Sequence, residues 1–410
     1  MKFSTAILFL LLISFSSSAQ RTIRGRVVNA STGTAVPGSS VFISGSSKGT
    51  VSNNAGTFEL NDVPPGKHEL VISSIGYETN VFSFSEEQLP LQLKIELAIK
   101  VKELENVTVE PSVEEGWDKW GRTFMDNFVG NTGNASQCRI KNEKSIKFRY
   151  YKKSNRLIAY CDEPVLMENK ALGYTINYQL EDFEVNFSEH SASYLGYAYF
   201  EPFDKDSKRQ QKWERKREEA YNGSILHFMR SLYGNRLLEE GFEVRRMVRI
   251  PNLEKERVKG IYNARKVIKQ NSNGMTIVEF NNDGYSRDSL NYYESVMRQD
   301  NYREVIDNNL LTSDSLIIES APTYQILHFQ DYLYITYKNE LEENDYLKTQ
   351  FPARRATYQR SYVMLLNDQL ISLDKNGNYY NPQEFLTSAY WGWSEKMANS
   401  LPLEYEPEKK

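Results

Sequence analysis

Residues that carry chemistry are scarce in this chain of 410, which holds four histidines and two cysteines. A zinc hydrolase needs paired ligands such as His-x-x-Glu or His-Glu-x-x-His. His68, His190, His227 and His328 are followed three places on by Val71, Ser193, Arg230 and Asp331, so neither string occurs. His328-Phe-Gln-Asp331 comes nearest, but it sits in a strand-like run, where residues three apart point to opposite faces. A glycine-rich phosphate loop is also missing. No sign of charge dominates. The formal net charge of −4 leaves no basic footprint for nucleic acid. No catalytic residue, cofactor or metal site is nominated.

Long apolar runs are lacking too. Ala6 to Phe15 falls short of the roughly 20 residues of a spanning helix. With Lys2 before it and Ser17-Ser18-Ala19 after it, the run reads as a secretory signal over residues 1–19. The mature chain is then expected to begin at Gln20, to lack a transmembrane helix, and to be exported. Cys138 and Cys161 meet an oxidising compartment there, which permits a bridge. Two separate buried thiols satisfy the sequence as well. One residue type is plentiful: 27 tyrosines allow large side chains to be buried while their hydroxyls stay wet.

What is present begins with alternation. Val41 and Ile43 share one parity, as do Phe58 and Leu60, and Leu70 and Ile72. Leu89, Leu91, Leu93, Ile95, Leu97, Ile99 and Val101 occupy every second position, which puts them on one face of a strand. Turns separate these runs: Asn53-Asn-Ala-Gly56 and Val63-Pro-Pro-Gly-Lys67 combine fixed and positive φ. Short strands punctuated this way predict a small β-sandwich.

The order Gly25-x-Val27, Pro37-Gly38-x-x-Val41-x-Ile43, Gly49-Thr50, Gly56-x-Phe58, Pro65-Gly66 and Ile75-Gly76-Tyr77 resembles the carboxypeptidase-regulatory-like domain. Ser52-Asn53 departs from the Thr-Asp usual there. The resemblance implies a transthyretin-type sandwich over residues 20–102 and a cell-envelope setting, but no catalysis. The same domain precedes the plug of TonB-dependent outer-membrane transporters, and Glu103-Leu-Glu-Asn-Val107-Thr-Val109 resembles the segment that follows it there.

Residues 103–115 read as an acidic connector with Pro111. Residues 116–405 read as an α+β domain of unknown function, with an antiparallel sheet and several helices. Ser112-Val-Glu-Glu115 predicts a helix cap, and Trp117, Trp120, Phe124 and Phe128 a helix face. Tyr174, Ile176, Tyr178 and Leu180 have one parity while Phe183, Val185 and Phe187 have the other, which predicts a bulge at Glu181-Asp182. A charged, solvated helix is expected over Asp204–Ala220. A second, carrying Ile225, Phe228, Met229 and Leu232, should lie on the sheet. Asn381-Pro382 predicts the start of a closing helix.

Three strings mimic sites. Gly45-Ser-Ser-Lys-Gly49 lacks the following helix of a nucleophile elbow and reads as a flexible loop. Asp374-Lys-Asn-Gly-Asn378 has its glycine too early for a calcium loop and reads as a hairpin turn. The carboxylate pairs Glu163/Glu168 and Glu181/Asp182 need geometry before they mean anything. The functional expectation is an exported, non-enzymatic envelope protein, in the periplasm or at the outer membrane. Its sandwich would bind an envelope protein or a glycan, with no nucleic-acid partner. A hydrolase using carboxylates alone and an outer-membrane transport accessory remain as alternatives. Two inward carboxylates in a cleft would favour the hydrolase.

Overall fold

A computed structural model describes residues 21–100, 110–203, 207–270 and 276–408. The expected signal segment 1–19 and the expected connector up to residue 109, with Val101, Leu104 and Val107, lie outside the described residues. Seven strands open the fold: β1 (Ile23–Asn29), β2 (Ser40–Ile43), β3 (Gly49–Val51), β4 (Thr57–Leu60), β5 (Lys67–Ser73), β6 (Asn80–Ser85) and β7 (Leu91–Leu97). They form two sheets, ordered β4-β1-β7 and β3-β2-β5-β6. Val41, Ile43, Phe58, Leu60, Leu70 and Ile72 meet in one core between them, as their alternation requires. The run from Leu89 to Val101 does not make one strand. β7 ends at Leu97, and Ile99 is 54% exposed, joined to Tyr77 by an isolated bridge.

Next come β8 (Ser112–Glu115), α1 (Trp117–Phe124), β9 (Cys138–Ile140), β10 (Ile146–Tyr151), β11 (Arg156–Cys161), β12 (Val165–Asn169), β13 (Tyr174–Asn186) and β14 (Ser191–Pro202). Ser112–Glu115 is no helix cap: it is an edge strand on β10, and Gly116 precedes the helix. Glu115 still serves that helix, accepting from Lys119 Nζ and Trp120 Nε1 at 2.6 Å. Trp117, Trp120, Phe124 and Phe128 pack onto the sheet as expected. The bulge is present between Leu180 and Asp182. It turns Phe183 and Val185 to the side already taken by Tyr178 and Leu180, so all four are buried.

Cys138 and Cys161 are free thiols. Cys138 pairs with Asn169 at the far end of β12, whereas Cys161 ends β11 before β12 begins. A strand rising about 3.3 Å per residue therefore separates them, beyond the ~7 Å reach of a bridge. Each thiol donates instead to a carbonyl, of Asn134 and of Ser145 respectively.

The remaining chain adds α2 (Ser207–Tyr221), α3 (Ile225–Tyr233), β15 (Phe242–Pro251), α4 (Leu253–Arg265), β16 (Lys266–Gln270), β17 (Thr276–Phe280), α5 (Arg287–Met297), β18 (Tyr302–Ile306), β19 (Ile317–Ser320), β20 (Gln325–Leu327), β21 (Tyr332–Leu341), β22 (Tyr358–Leu365), β23 (Ile371–Leu373), β24 (Phe385–Ala389) and α6 (Tyr390–Ser394). The main sheet is ordered β18-β15-β21-β22-β24, beside a smaller β19-β20-β23 sheet and the β16-β17 hairpin. α3 lays Ile225, Phe228, Met229 and Leu232 on the main sheet. α2 anchors through Trp213 Nε1 and Arg217 Nε to the carbonyls of Lys170 and Leu172. The closing segment differs from a helix. Only one 3-10 turn follows Asn381, and Phe385–Ala389 then pairs with β22. Asn381 and Ala389, at φ 64° and 60°, bracket that strand with left-handed backbone that a continuous helix could not accommodate.

Candidate functional site

Among the described residues, several contacts bind the sandwich to the rest of the chain, and three groups of them stand out. The loop Gly45–Gly49 makes the first. Gly45 donates its N–H to Ala198 O at 2.8 Å, and its carbonyl accepts from Leu403 N at 2.7 Å. Ser46 O accepts from Phe200 N at 2.9 Å, and Ser47 N donates to Glu404 Oε1 at 2.6 Å. A loop expected to be flexible is therefore pinned at three successive residues. Ser46 is 1% exposed, and its hydroxyl donates to Ile43 O. Ser47 holds the nucleophile place of the string, but β3 follows it where a nucleophile elbow has a helix.

The second contact is the turn after β23. Asn376 Nδ2 donates to Pro65 O at 2.7 Å, Tyr380 Oη to Lys67 O at 3.0 Å, and Lys375 Nζ lies 3.2 Å from Glu86. Asp374 holds this turn by accepting from Asn376 N and Asn378 N through Oδ1. Its Oδ2 is buried without a hydrogen-bond partner, and burial pushes the carboxyl up to about 6. The third contact is the sandwich's outer face. Phe42, on the polar parity of β2, lies 5.4 Å from the Tyr199 ring and is 3% exposed.

Between these contacts lies a cavity of about 510 Å³, within the ~300–1,000 Å³ of small-molecule sites. The sandwich contributes Glu69 from β5, and the bulged sheet contributes Tyr178 and Tyr194. The C-terminal part contributes Asn378, Tyr379 and Glu395. Phe128 fixes the first two tyrosines, with ring centroids 5.0 and 5.1 Å away, and Phe385 backs Tyr379 at 5.3 Å. Gly196 is needed opposite the bulge: a Cβ there would stand 2.5 Å from the Tyr178 ring and 2.1 Å from Gln179 O. Glu395 Oε2 accepts from Ile225 N, 3.2 Å away at the start of α3. Burial nevertheless dominates and pushes its carboxyl up to about 7. The same cause raises Glu69 and lowers the Lys396 ammonium, which also lines the cavity. A larger groove of about 910 Å³ runs beside β18, whose five residues are all exposed.

The histidines stay apart. His68 Nε2 lies 3.1 Å from Pro64 O, His227 pairs with Glu240 at 3.3 Å, and His328 with Asp368 at 2.8 Å. Among the described residues no three His, Cys, Asp or Glu side chains are grouped to hold a metal ion. Glu163 accepts from Ser145 and Asn142, and Glu168 lies near Lys141 and Lys170. Glu181 and Asp182 are exposed on the bulge. None of these carboxylates lines the cavity. Sequence reasoning missed Glu69, Glu395 and the three tyrosines. The abundance of tyrosine was the one signal pointing towards them.

Residues 23–109 match the family model described as the CarboxypepD_reg-like domain, so the N-terminal sandwich is a carboxypeptidase-regulatory-like domain. No curated protein matches the chain. Solved structures similar to parts of it include a type II cohesin–X-dockerin complex from Acetivibrio cellulolyticus, at 22% identity and TM-score 0.15. That match covers 18% of this chain and 51% of the other, so it spans about half of the other's length. A protein of unknown function from Bacteroides fragilis, described as membrane-associated, matches at 8% identity and TM-score 0.15, covering 86% of this chain and 93% of its own. A DUF3823 family protein from Bacteroides uniformis matches at 10% identity and TM-score 0.14, covering 84% and 99%. Among the described residues, no helix is long and apolar enough to cross a membrane.

Proposed function

We propose that this is an exported cell-envelope protein that binds a small molecule without transforming it. In this reading the sandwich is an interaction module whose first partner is its own chain. The observation that carries it is the joint construction of the cavity. Glu69 of the sandwich, Tyr194 of the second sheet and Glu395 after the last helix line one space. Ligand sites favour such junctions between packed units. Export rests on the N-terminal segment and on the setting in which carboxypeptidase-regulatory-like domains occur.

The test is a ligand-detected NMR screen of the mature chain against neutral sugars, aliphatic amines, carboxylates and acyl chains. Ser400→Trp, which fills the cavity, serves as control, since Ser400 lines it. Binding that disappears in the control supports the reading, and a library with no binder sensitive to Ser400→Trp overturns it. Fractionation of cells making the whole chain tests export, and cytoplasmic recovery would contradict it.

One observation favours a second reading, a carboxylate-based envelope hydrolase: Glu69 and Glu395 both face the cavity. A glycosidase-type pair needs one carboxyl protonated and the other ionised, whereas here burial raises both. Turnover of a bound glycan that is abolished by Glu395→Gln would establish this reading in place of the first.

A further inference from the structure

We propose that the cavity between the sandwich and the two following sheets is a site for a short neutral saccharide, gripped by the hydroxyls of Tyr178, Tyr194 and Tyr379. The proposal rests on the reading that this cavity binds a small molecule, and it names the ligand's class.

The three phenols carry the argument. Each lines the cavity, and none has a hydrogen-bond partner among the described residues. Nor is any of their oxygens sealed off from solvent, unlike Asp374 Oδ2 or Trp393 Nε1. Buried tyrosine hydroxyls ordinarily find a partner within the protein. Three that converge on one space without one are left for water or a ligand. A phenol both donates and accepts, as each hydroxyl of a sugar does, so the two sets match without any change of charge.

The walls point the same way. Phe128 and Phe385 hold the rings from behind, so a ligand freezes few side-chain torsions on binding. Rigid aromatic surface suits the C–H faces of a pyranose. Asn378 and Gln383, which also line the cavity, add amide groups of both hydrogen-bonding senses.

Charge narrows the class. An anion would enter a space that already holds Glu69 and Glu395, and a cation would lie beside Lys396. Burial disfavours the charged form of all three groups, which marks a weakly hydrated space where a net charge is costly. A neutral polyol meets neither objection. A purely apolar chain would leave the three hydroxyls unpaired.

The experiment uses the mature chain with glucose, galactose, N-acetylglucosamine and their disaccharides, by ligand-detected NMR and calorimetry. Tyr194→Phe and Tyr379→Phe keep each ring and remove its hydroxyl. At least one sugar should bind, and each variant should weaken it by about five- to tenfold, one hydrogen bond's worth. Thermal melting of both variants should stay at the parent's value, because neither hydroxyl bonds to the protein. Sugar binding unchanged in both variants overturns the proposal. So does a library in which amines or acyl chains bind at the cavity and sugars do not, a result that leaves the small-molecule reading standing. If nothing binds at the cavity, both fall.

Discussion

Leu403 donates its backbone N–H to the carbonyl of Gly45 across 2.7 Å, tying the C-terminal tail to a loop of the N-terminal sandwich. Arg230 of α3 holds the tail in position to do so. Its guanidinium donates to Leu403 O, Tyr405 O and Asn376 O at 2.8, 2.7 and 2.9 Å. One side chain thus supports two of the three contacts around the cavity, at the Gly45 loop and at the turn after β23.

Arg230→Ala should therefore lower stability by about 3 kcal/mol, since three carbonyls lose a charged donor and the site is nearly buried. Arg230→Lys should recover little of this, because an ammonium lacks the planar fork that reaches three acceptors at once. Urea unfolding curves would check both. A lysine variant as stable as the parent would show that charge, rather than the fork, holds the tail.

Much of this arrangement was legible in the chain. The opposed parities of Leu180 and Phe183 announced the bulge, since one face was buried and could not change sides otherwise. The sandwich was legible because its alternation is local. The closing segment was not. Phe385 and Leu386 fit a helix face or a strand equally, and pairing with β22 decided between them. Phe42 lies on the polar parity of β2 and is buried only because Tyr199 arrives from another sheet. Glu395 meets its partner Ile225 across 170 positions of sequence, and no local pattern records that. The loop Gly45–Gly49 reads as free for the same reason, as its partners are Ala198, Phe200, Leu403 and Glu404.

The outer face of the sandwich offers a second prediction. Phe42→Ala should cost the whole chain about 3 kcal/mol, the usual penalty for emptying a packed aromatic site. In a fragment spanning residues 21–100 the same change should cost under about 1 kcal/mol, because Tyr199 is absent and Phe42 would be exposed there. Chemical denaturation of the four proteins gives the comparison. Equal losses in chain and fragment would place Phe42 in the sandwich's own core.

Gly66 gives a third. It stands at φ +119°, and a Cβ on it would meet Asn376 Nδ2 at 2.6 Å. Gly66→Ala should both strain the turn and push away the amide that donates to Pro65 O. A loss of about 2 kcal/mol is expected, with faster proteolysis of the 374–383 turn. Pairing it with Asn376→Ala should give less than the sum, because the second change removes the clashing group. Additive losses would mean that strain in the turn alone is responsible.

The last prediction concerns pH. Glu395 has its carboxyl pushed up to about 7 by burial, against about 4.3 in an unfolded chain. Between those values the folded state holds a proton that the unfolded state has released. Stability from this group is therefore fully present below about pH 4.3 and is lost as pH rises through about 7. Asp374, pushed up to about 6, acts in the same direction over a lower window. Glu342 and Glu163 act oppositely, since hydrogen bonds hold both below the ordinary range and their contribution fades in acid. The parent's own pH profile mixes these effects, so the informative quantity is its difference from Glu395→Gln. The amide is neutral throughout and still accepts from Ile225 N. Relative to that variant, the parent should lose about 2 kcal/mol between pH 5 and pH 8, a figure below the full linkage value because the carboxyl keeps contact with the cavity. Paired urea titrations at those two pH values measure it. A difference that does not change with pH, or that changes with the opposite sign, would show that Glu395 is ionised in the folded protein at neutral pH.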